Sequence, residues 1–358
     1  MIYDDASVDF PPTTQLWMTQ PRILITGASG MIGAPVAIRA ARLGMEVTVV
    51  ARAGSDLSPL SEIRYRTIEA DLTQPSEDVA AAVRQSDFVV HTAAQVGDWG
   101  PKDWYRAINL DAVDHLLRAA ASAPDLKRFL HLSALGVYKA THHHGTDESA
   151  ATDLNGFDGY THTKALSEVM VNDFHKRAGI PTTIVRPGFT YGIGDRRILP
   201  RLITTFENNT IRQIGDGMRV LNNTHIDNVV DGIFLALDND AAIGETFNMR
   251  DERLVTRHEF LGAIAEYLGK PHPRRVPEWF ARGLHPVMET FARLRRSAKP
   301  PLLTGATMKF MVLNLNFSID KAKRLLGYEP KVDFRDGIRE ALDWSMAHRH
   351  DDAIRPQG

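Results

Sequence analysis

The chain has no cysteine among its 358 residues. Disulfides, thiolate nucleophiles and thiolate metal ligands are therefore excluded, and the composition agrees with a reducing compartment. No run of about 18 apolar residues occurs, so no membrane-spanning helix is expected. Charge of one sign is also missing: 42 Lys and Arg stand against 44 Asp and Glu, a net charge of -2. Such a chain offers no strong positive field to phosphates, which argues against nucleic acid as a partner. There is no internal repeat and no low-complexity tract. The opening MIYDDASVDFPPTTQ is acidic and has no apolar h-region, so no secretory signal is expected. Residues 1–20 read as a flexible N-terminal extension and the protein as cytoplasmic.

What is present is an ordinary globular mixture, 43% hydrophobic and 24% charged, long enough for two units sharing an interface. Arg22–Thr26 is a short apolar run ending in glycine, the mark of a buried strand. A helical pattern follows to Leu43 and is closed by Gly44. Further strands are expected at 46–50, 68–70, 88–91, 129–132 and 183–186, with helices at 77–85 and 103–121 and a helix carrying Tyr160. Strands alternating with helices predict an α/β Rossmann fold, a doubly wound parallel sheet covered on both faces. Beyond Pro187 the rhythm changes to helices at 198–206, 228–237, 258–268 and 321–326, with a short strand at 245–249. The expected division is a dinucleotide-binding domain over 21–190 and mainly a smaller α/β substrate lobe over 191–350, with some segments returning to the first domain.

Two motifs carry chemistry. Thr26-Gly27-Ala28-Ser29-Gly30-Met31-Ile32-Gly33 places glycines three apart between a strand and a helix. Glycine permits the tight turn and the close approach of a pyrophosphate, and the helix N-terminus offers free N–H groups. Dinucleotide-binding folds that prefer NAD place an acid near the end of the second strand, about 20 residues on, to hold the ribose hydroxyls. Here that place reads Val49-Val50-Ala51-Arg52. A guanidinium attracts a 2′-phosphate that a carboxylate would repel, so NADP(H) is the expected cofactor and NAD(H) the alternative. Asp71 and Leu72 follow the third strand and are expected near the adenine. The second motif is Tyr160-Thr161-His162-Thr163-Lys164. Tyr160 and Lys164 are four apart and share a helix face. An ammonium beside a phenol favours the phenolate and suits the tyrosine to proton transfer.

With these residues the chain resembles the extended short-chain dehydrogenase/reductase family (NAD(P)-dependent epimerase/dehydratase-like). TGASGMIG, Asp71-Leu72, His91-Thr92-Ala93-Ala94, Asn109, Tyr160 with Lys164, and Arg186-Pro187-Gly188 followed by Tyr191-Gly192 fall in its order, over about residues 22–345. Within it, the stretch from His91 to Pro101 most resembles the 3β-hydroxysteroid dehydrogenase branch, which includes 2-alkyl-3-ketoalkanoate reductases. The resemblance implies Tyr160 as acid/base, Lys164 as its electrostatic partner and ribose ligand, and Asn109 as a structural or proton-relay residue. It implies Gly27, Ser29, Gly30, Met31, Ile32, Gly33, Arg52, Asp71, Leu72, Thr92, Ala93, Ala94, Pro187 and Phe189 around the cofactor. Gln95, Trp99 and Tyr191 would face the substrate. It also implies a homodimer through the helix near 103–121 and the Tyr160 helix.

One position departs from the pattern. The family carries a Ser or Thr three residues before the valine of its V-Y-G stretch, to hold the reacting oxygen. Counting back from Val137 reaches Ala134, with Ser133 one place earlier. Neighbours on a strand face opposite ways, so either Ser133 serves through a rotated strand end, or Tyr160 or another hydroxyl such as Thr141 holds the oxygen. His142-His143-His144 reads as a polar loop, because three adjacent histidines cannot converge on one ion; no metal is expected. Trp279, Phe280, Leu284, Val287, Met288, Phe291 and Leu294 form an apolar stripe at helical spacing with arginines around it. It reads as a helix capping the substrate pocket or a dimer contact, with peripheral membrane contact through 279–294 as the alternative. Trp99, Trp104, Phe189 and this stripe are expected to supply apolar pocket wall.

The leading reading is an NADP(H)-dependent oxidoreductase interconverting a secondary alcohol and a ketone on a hydrophobic, steroid-like or 3-keto acyl-like substrate. The alternatives are a nucleotide-sugar epimerase or dehydratase with tightly bound NAD, and a non-catalytic NADP-binding sensor or assembly protein.

Overall fold

A computed structural model describes residues 20–349 apart from 98, 157, 296, 298, 299 and 302. The N-terminal extension, save its last residue, lies outside the described residues. Seven strands, all parallel, form the main sheet: β1 (Arg22–Thr26), β2 (Glu46–Ala51), β3 (Arg66–Glu69), β4 (Phe88–His91), β5 (Arg128–Leu132), β6 (Thr182–Pro187) and β7 (Thr246–Met249). Their order is β7-β6-β5-β4-β1-β2-β3. The chain winds outward in opposite directions from the β1/β4 junction, the topological switch point where such sheets bind ligands beyond their carboxyl ends.

The alternation along β1 explains the layers. Ile23 and Ile25 face one side, in a core with Val36, Ala37 and Ala40 of the Gly33–Arg42 helix and Val229 and Ile233 of the Ile226–Asp238 helix. Leu24 faces the other, with Val83 of the Glu77–Arg84 helix, Leu116 and Leu117 of the Ala112–Ala120 helix and Val171 of the Gly159–Ala178 helix. Both faces of the central strands are buried, so β1 and β4 read as nearly continuous apolar runs, while β3 at the edge buries only Ile68. A second core, including Leu199, Phe206, Leu221, Phe260 and Phe334, joins the helices Ile198–Glu207, Arg257–Tyr267 and Phe334–Ala347.

Four local expectations are corrected. The strand near 245–249 belongs to the main sheet, where β7 pairs with β6 from Thr246↔Ile184 to Met249↔Pro187. The region 103–121 is not one helix: Lys102–Arg106 and Ala112–Ala120 flank a π-helical segment, Ala107–Asp111. The histidine run is only partly a loop: exposed His142 precedes a strand, His143–Thr146, that pairs in parallel with Leu315–Phe317, while His143 is buried and bonded to Thr146 and the Lys139 carbonyl. Lastly, Trp104 is exposed, and the apolar stripe of the Glu278–Leu294 helix faces outward rather than walling a pocket.

Candidate active site

The glycine turn sits on the carboxyl end of β1. Gly27 has φ +74°, and a Cβ there would lie 2.7 Å from both the Ala93 nitrogen and Thr92 Oγ1. At Gly33 a Cβ would lie 2.2 Å from the Gly27 carbonyl oxygen. Any side chain at either position breaks the turn's packing against the end of β4. Gly30 donates to the Gly27 carbonyl at 2.9 Å and, like Ser29, stays exposed. The Gly33–Arg42 helix begins after Ile32 with no side-chain cap and no acid in its first turn. Ser76, Asp158, Thr256, Thr304 and Asp333 cap other helices, while Ile198–Glu207, Glu278–Leu294 and Asp320–Leu326 also lack a side-chain cap at the N-cap residue but do not follow a glycine turn on a main-sheet strand. An uncapped terminus, with partly buried Met31 and Ile32 beside it, suits an anion such as a pyrophosphate.

Arg52 is exposed just past β2. Asp71, past β3, accepts bonds from Thr73 N and Oγ1. These bonds hold its carboxyl below the usual range, and the charge of Arg52 adds to the effect. Arg52 and Asp71 thus lie together past the carboxyl ends of β2 and β3, next to half-buried Leu72. Asp56, the next carboxylate after Arg52, accepts from Arg196 at 2.8 Å.

The Gly159–Ala178 helix starts at Asp158, whose side chain accepts from the Thr161 nitrogen at 2.7 Å, and stops at Gly179 with φ 69°. It delivers Lys164 to the end of β5, where Nζ donates to the Leu132 carbonyl at 2.6 Å. Burial pulls the Lys164 ammonium down to about 8, with Glu168 opposing. Burial pushes the Tyr160 phenol up to about 12, helped by the charge of Asp158. The Lys164 ammonium therefore caps the carboxyl end of β5.

Asn109 is fully buried in the π-helical segment. Its Oδ1 accepts from Gln95 N at 2.9 Å, and its Nδ2 donates to the Gln95 carbonyl at 3.1 Å and to Thr163 Oγ1 at 3.0 Å. It pins the loop after β4 to the helix that carries Tyr160. Within that loop Thr92 Oγ1 donates to the Thr26 carbonyl at 2.7 Å, and Ala93 N to Thr26 Oγ1 at 3.3 Å. Ala94 and Gln95 are partly buried. Trp99 Nε1 donates to the Ser297 carbonyl at 2.8 Å, beneath the Arg293 guanidinium at 4.8 Å.

Ser133 is 2% exposed, and its Oγ has no protein partner among the described residues. Its nitrogen donates to the Val185 carbonyl at 2.7 Å, so the residue prolongs the β5–β6 ladder. Ala134, half-exposed, lacks the hydroxyl; Thr141 is on the surface. Pro187 is buried at the end of β6, while Phe189 packs against Phe310 and Phe260. Tyr191 is not where a substrate residue belongs: it is fully buried, donates to Asp251 at 2.9 Å and packs on His225 and Phe334.

Sequence reasoning missed Glu168 and His131. Glu168 accepts Nε and Nη2 of Arg186 at 2.8 and 2.5 Å, both side chains being buried. The spacing Tyr160, Lys164, Glu168 on one helix face was the available signal. His131 stacks on His91 at 5.5 Å beneath Lys164 and is bonded to Ser167. Burial and the Lys164 charge keep both imidazoles neutral, His91 falling to about 3. His225, Asp227 and Glu340 are the one trio of metal-type ligands that converges among the described residues, within 4.8 Å. His225 Nε2 already lies 3.5 Å from Glu340, and both carboxylates are exposed.

The comparisons agree with this geometry. The 2-alkyl-3-oxoalkanoate reductase of Shewanella oneidensis is 26% identical over 328 residues, covering 88% of this chain and 84% of that protein. The 3 beta-hydroxysteroid dehydrogenase/Delta 5-->4-isomerase of Mycobacterium tuberculosis is 28% identical, covering 91% and 90%. Among solved structures, a UDP-glucuronic acid 4-epimerase from Bacillus cereus, in complex with UDP-glucuronic acid and NAD, superposes with a TM-score of 0.72. It is 22% identical over 91% of this chain and 99% of that one, a likeness of fold. The profile of the NAD dependent epimerase/dehydratase family matches residues 23–249, which hold the main sheet except its first residue, Arg22, together with the glycine turn and the Tyr160/Lys164 pair. The chain belongs to that family, the extended short-chain dehydrogenase/reductases, and is an NAD(P)-dependent enzyme of the dehydrogenase/reductase type.

Proposed function

We propose that the protein is an NADP(H)-dependent reductase of a hydrophobic ketone, steroid-like or 3-keto acyl-like, and the dehydrogenase of the corresponding secondary alcohol. One observation carries the reading. The glycine turn and the Tyr160/Lys164 helix, more than 120 residues apart in sequence, reach the carboxyl ends of neighbouring strands, Gly27 against Ala93 and Lys164 against Leu132. That is where an α/β sheet binds a dinucleotide.

When bound, the nicotinamide supplies or accepts the hydride. The protein's residues do the rest. The uncapped helix terminus at Ser29–Gly33 holds the pyrophosphate. Arg52 takes the 2′-phosphate, and Arg196 neutralises the nearby Asp56 that would repel it. Burial keeps Tyr160 protonated at neutral pH, so it donates its proton to the carbonyl oxygen of the substrate. The Lys164 charge then stabilises the phenolate left behind. Asn109 fixes Gln95, and with it the loop reaching Trp99, which together with Phe189 offers apolar wall. Ser133, whose buried Oγ has no protein partner among the described residues, holds the reacting oxygen. The same reading includes a homodimer through the helices at 112–120 and 159–178, and a cytoplasmic location.

The test is fluorescence titration with NADPH and NADH, in wild type and Arg52→Ala, followed by NADPH oxidation with a panel of hydrophobic ketones. Preference for NADPH that disappears in the variant, and turnover abolished by Tyr160→Phe with cofactor affinity intact, is the expected result. NAD retained through purification moves the nucleotide-sugar epimerase reading to the front. NADPH binding with no turnover of any ketone supports the non-catalytic one.

A further inference from the structure

The Glu278–Leu294 helix carries Trp279, Phe280, Leu284, Val287, Phe291 and Leu294, whose exposures run from 36% to 78%. At about 100° per residue these six fall within one arc of roughly 140°. The helix rests on the protein by the opposite side, where Ala281 is its one buried residue. An amphipathic helix normally turns its apolar face to the core; this one turns it outward. A contiguous exposed apolar face of this kind marks an interaction site.

The charge around it selects the partner. Residues 274–295 contain five arginines and two glutamates, a local net charge of +3 on a chain whose net charge is -2. Both glutamates are already paired, Glu278 with Arg282 and Arg219 and Glu289 with Arg293. Arg274 and Arg275 are exposed just before the helix, and the Arg295 guanidinium lies 4.1 Å over the Phe291 ring at its other end. We propose that this face docks on an anionic lipid surface, with the helix in the headgroup plane, its aromatic and aliphatic arc in the acyl boundary and Arg274, Arg275 and Arg295 at its two ends among the lipid phosphates. The docked helix is joined to the candidate site, because Arg293 covers Trp99 and Trp99 donates to Ser297. A lipid-dissolved ketone would then reach the site without crossing water. That consequence rests on the reductase reading; the docking does not.

The experiment is co-sedimentation of the full chain with phosphatidylcholine vesicles and with phosphatidylcholine/phosphatidylglycerol vesicles, at low and high salt. Binding to the anionic vesicles, weakened by salt and by removing phosphatidylglycerol, is expected. The double substitution Val287→Glu/Phe291→Glu should lower partitioning about tenfold or more while leaving the melting temperature and NADPH affinity unchanged. A blue shift of tryptophan emission on vesicle addition should vanish in Trp279→Phe. No binding by the wild type, or binding indifferent to the double substitution, overturns the proposal. So does a solution dimer that the double substitution converts to monomer without any vesicle binding, since the face would then belong to a second copy. Normal vesicle binding with no turnover of any ketone leaves the docking standing and removes only the route of delivery.

Discussion

Replacing Glu168 by glutamine tests the base of the candidate site. Arg186 and Glu168 are buried, with side-chain exposures of 7% and 3%. Two hydrogen bonds join them, and Arg186 also donates to Tyr138 Oη at 2.7 Å. Glutamine keeps the shape and removes the charge, leaving the buried guanidinium without its hydrogen-bonded counter-ion and with the Glu148 charge still acting on it. Breaking one side of such a pair costs about 3–5 kcal/mol. With an unfolding entropy of about 2.1 cal/mol/K per residue over roughly 330 ordered residues, the melting temperature should fall by about 4–7 °C. The exposed pair Asp114–Arg118 is the control: Arg118→Ala should cost less than about 1 kcal/mol. Glu168 also opposes the depression of the Lys164 ammonium. The Lys164 charge that supports proton transfer by Tyr160 is present below about 8 and is lost as pH rises through that value. Without Glu168 the ammonium is lost at lower pH, so the alkaline limb of kcat for ketone reduction should move down in Glu168→Gln. Differential scanning calorimetry and a pH–rate profile check the two effects. An unchanged melting temperature would refute the argument from the buried pair. An alkaline limb that stays or moves up would refute the assignment of that limb to Lys164.

Three further outcomes follow from the geometry. Gly33→Ala places a Cβ 2.2 Å from the Gly27 carbonyl oxygen; it should abolish NADPH binding by titration and destabilise the fold by about 1–3 kcal/mol. Arg52→Ala should weaken NADPH binding by about tenfold to a hundredfold, the worth of charge-assisted hydrogen bonds, with NADH affinity unchanged. Ser133→Ala should lower kcat by about 10²–10³, while Ala134→Ser should leave it unchanged; a rise in kcat with Ala134→Ser would refute the role given to Ser133.

The centre of the main sheet was legible because β1, β4 and β5 are almost wholly buried, and β1 and β4 form apolar runs that local reading detects, whereas the edge strand β3 keeps only Ile68 buried. The glycine turn was legible for a different reason: Gly27 and Gly33 are required by neighbours a few residues away and by the end of one adjacent strand. What local reading missed was decided by residues far along the chain. The strand 246–249 looks like part of the second lobe until its ladder to β6 is seen, a pairing across about 60 positions. Tyr191 has the sequence place of a substrate residue, yet Asp251 captures its phenol from 60 positions away. The π-helical turn at Ala107–Asp111 has no signature in the periodicity, because it is held by bonds from Asn109 to Gln95 and Thr163.

The apolar stripe shows the same limit more sharply. Spacing alone establishes that Trp279, Phe280, Leu284, Val287, Phe291 and Leu294 share a helix face, and a shared face is compatible with a pocket wall, a dimer contact or a membrane contact. Which of these holds depends on the direction of the face, and direction is set by what the rest of the helix packs against. Ala281 is the one buried residue of the helix, and it seats on the far side in a core with Ile214, Met308 and Leu315. Seating through Ala281 turns the aromatic side outward and leaves Arg293 to meet Trp99. The pocket-wall expectation fails for that reason. The link from the outward face to the candidate site therefore runs through the Arg293–Trp99 stack and the Trp99–Ser297 bond, not through shared pocket lining.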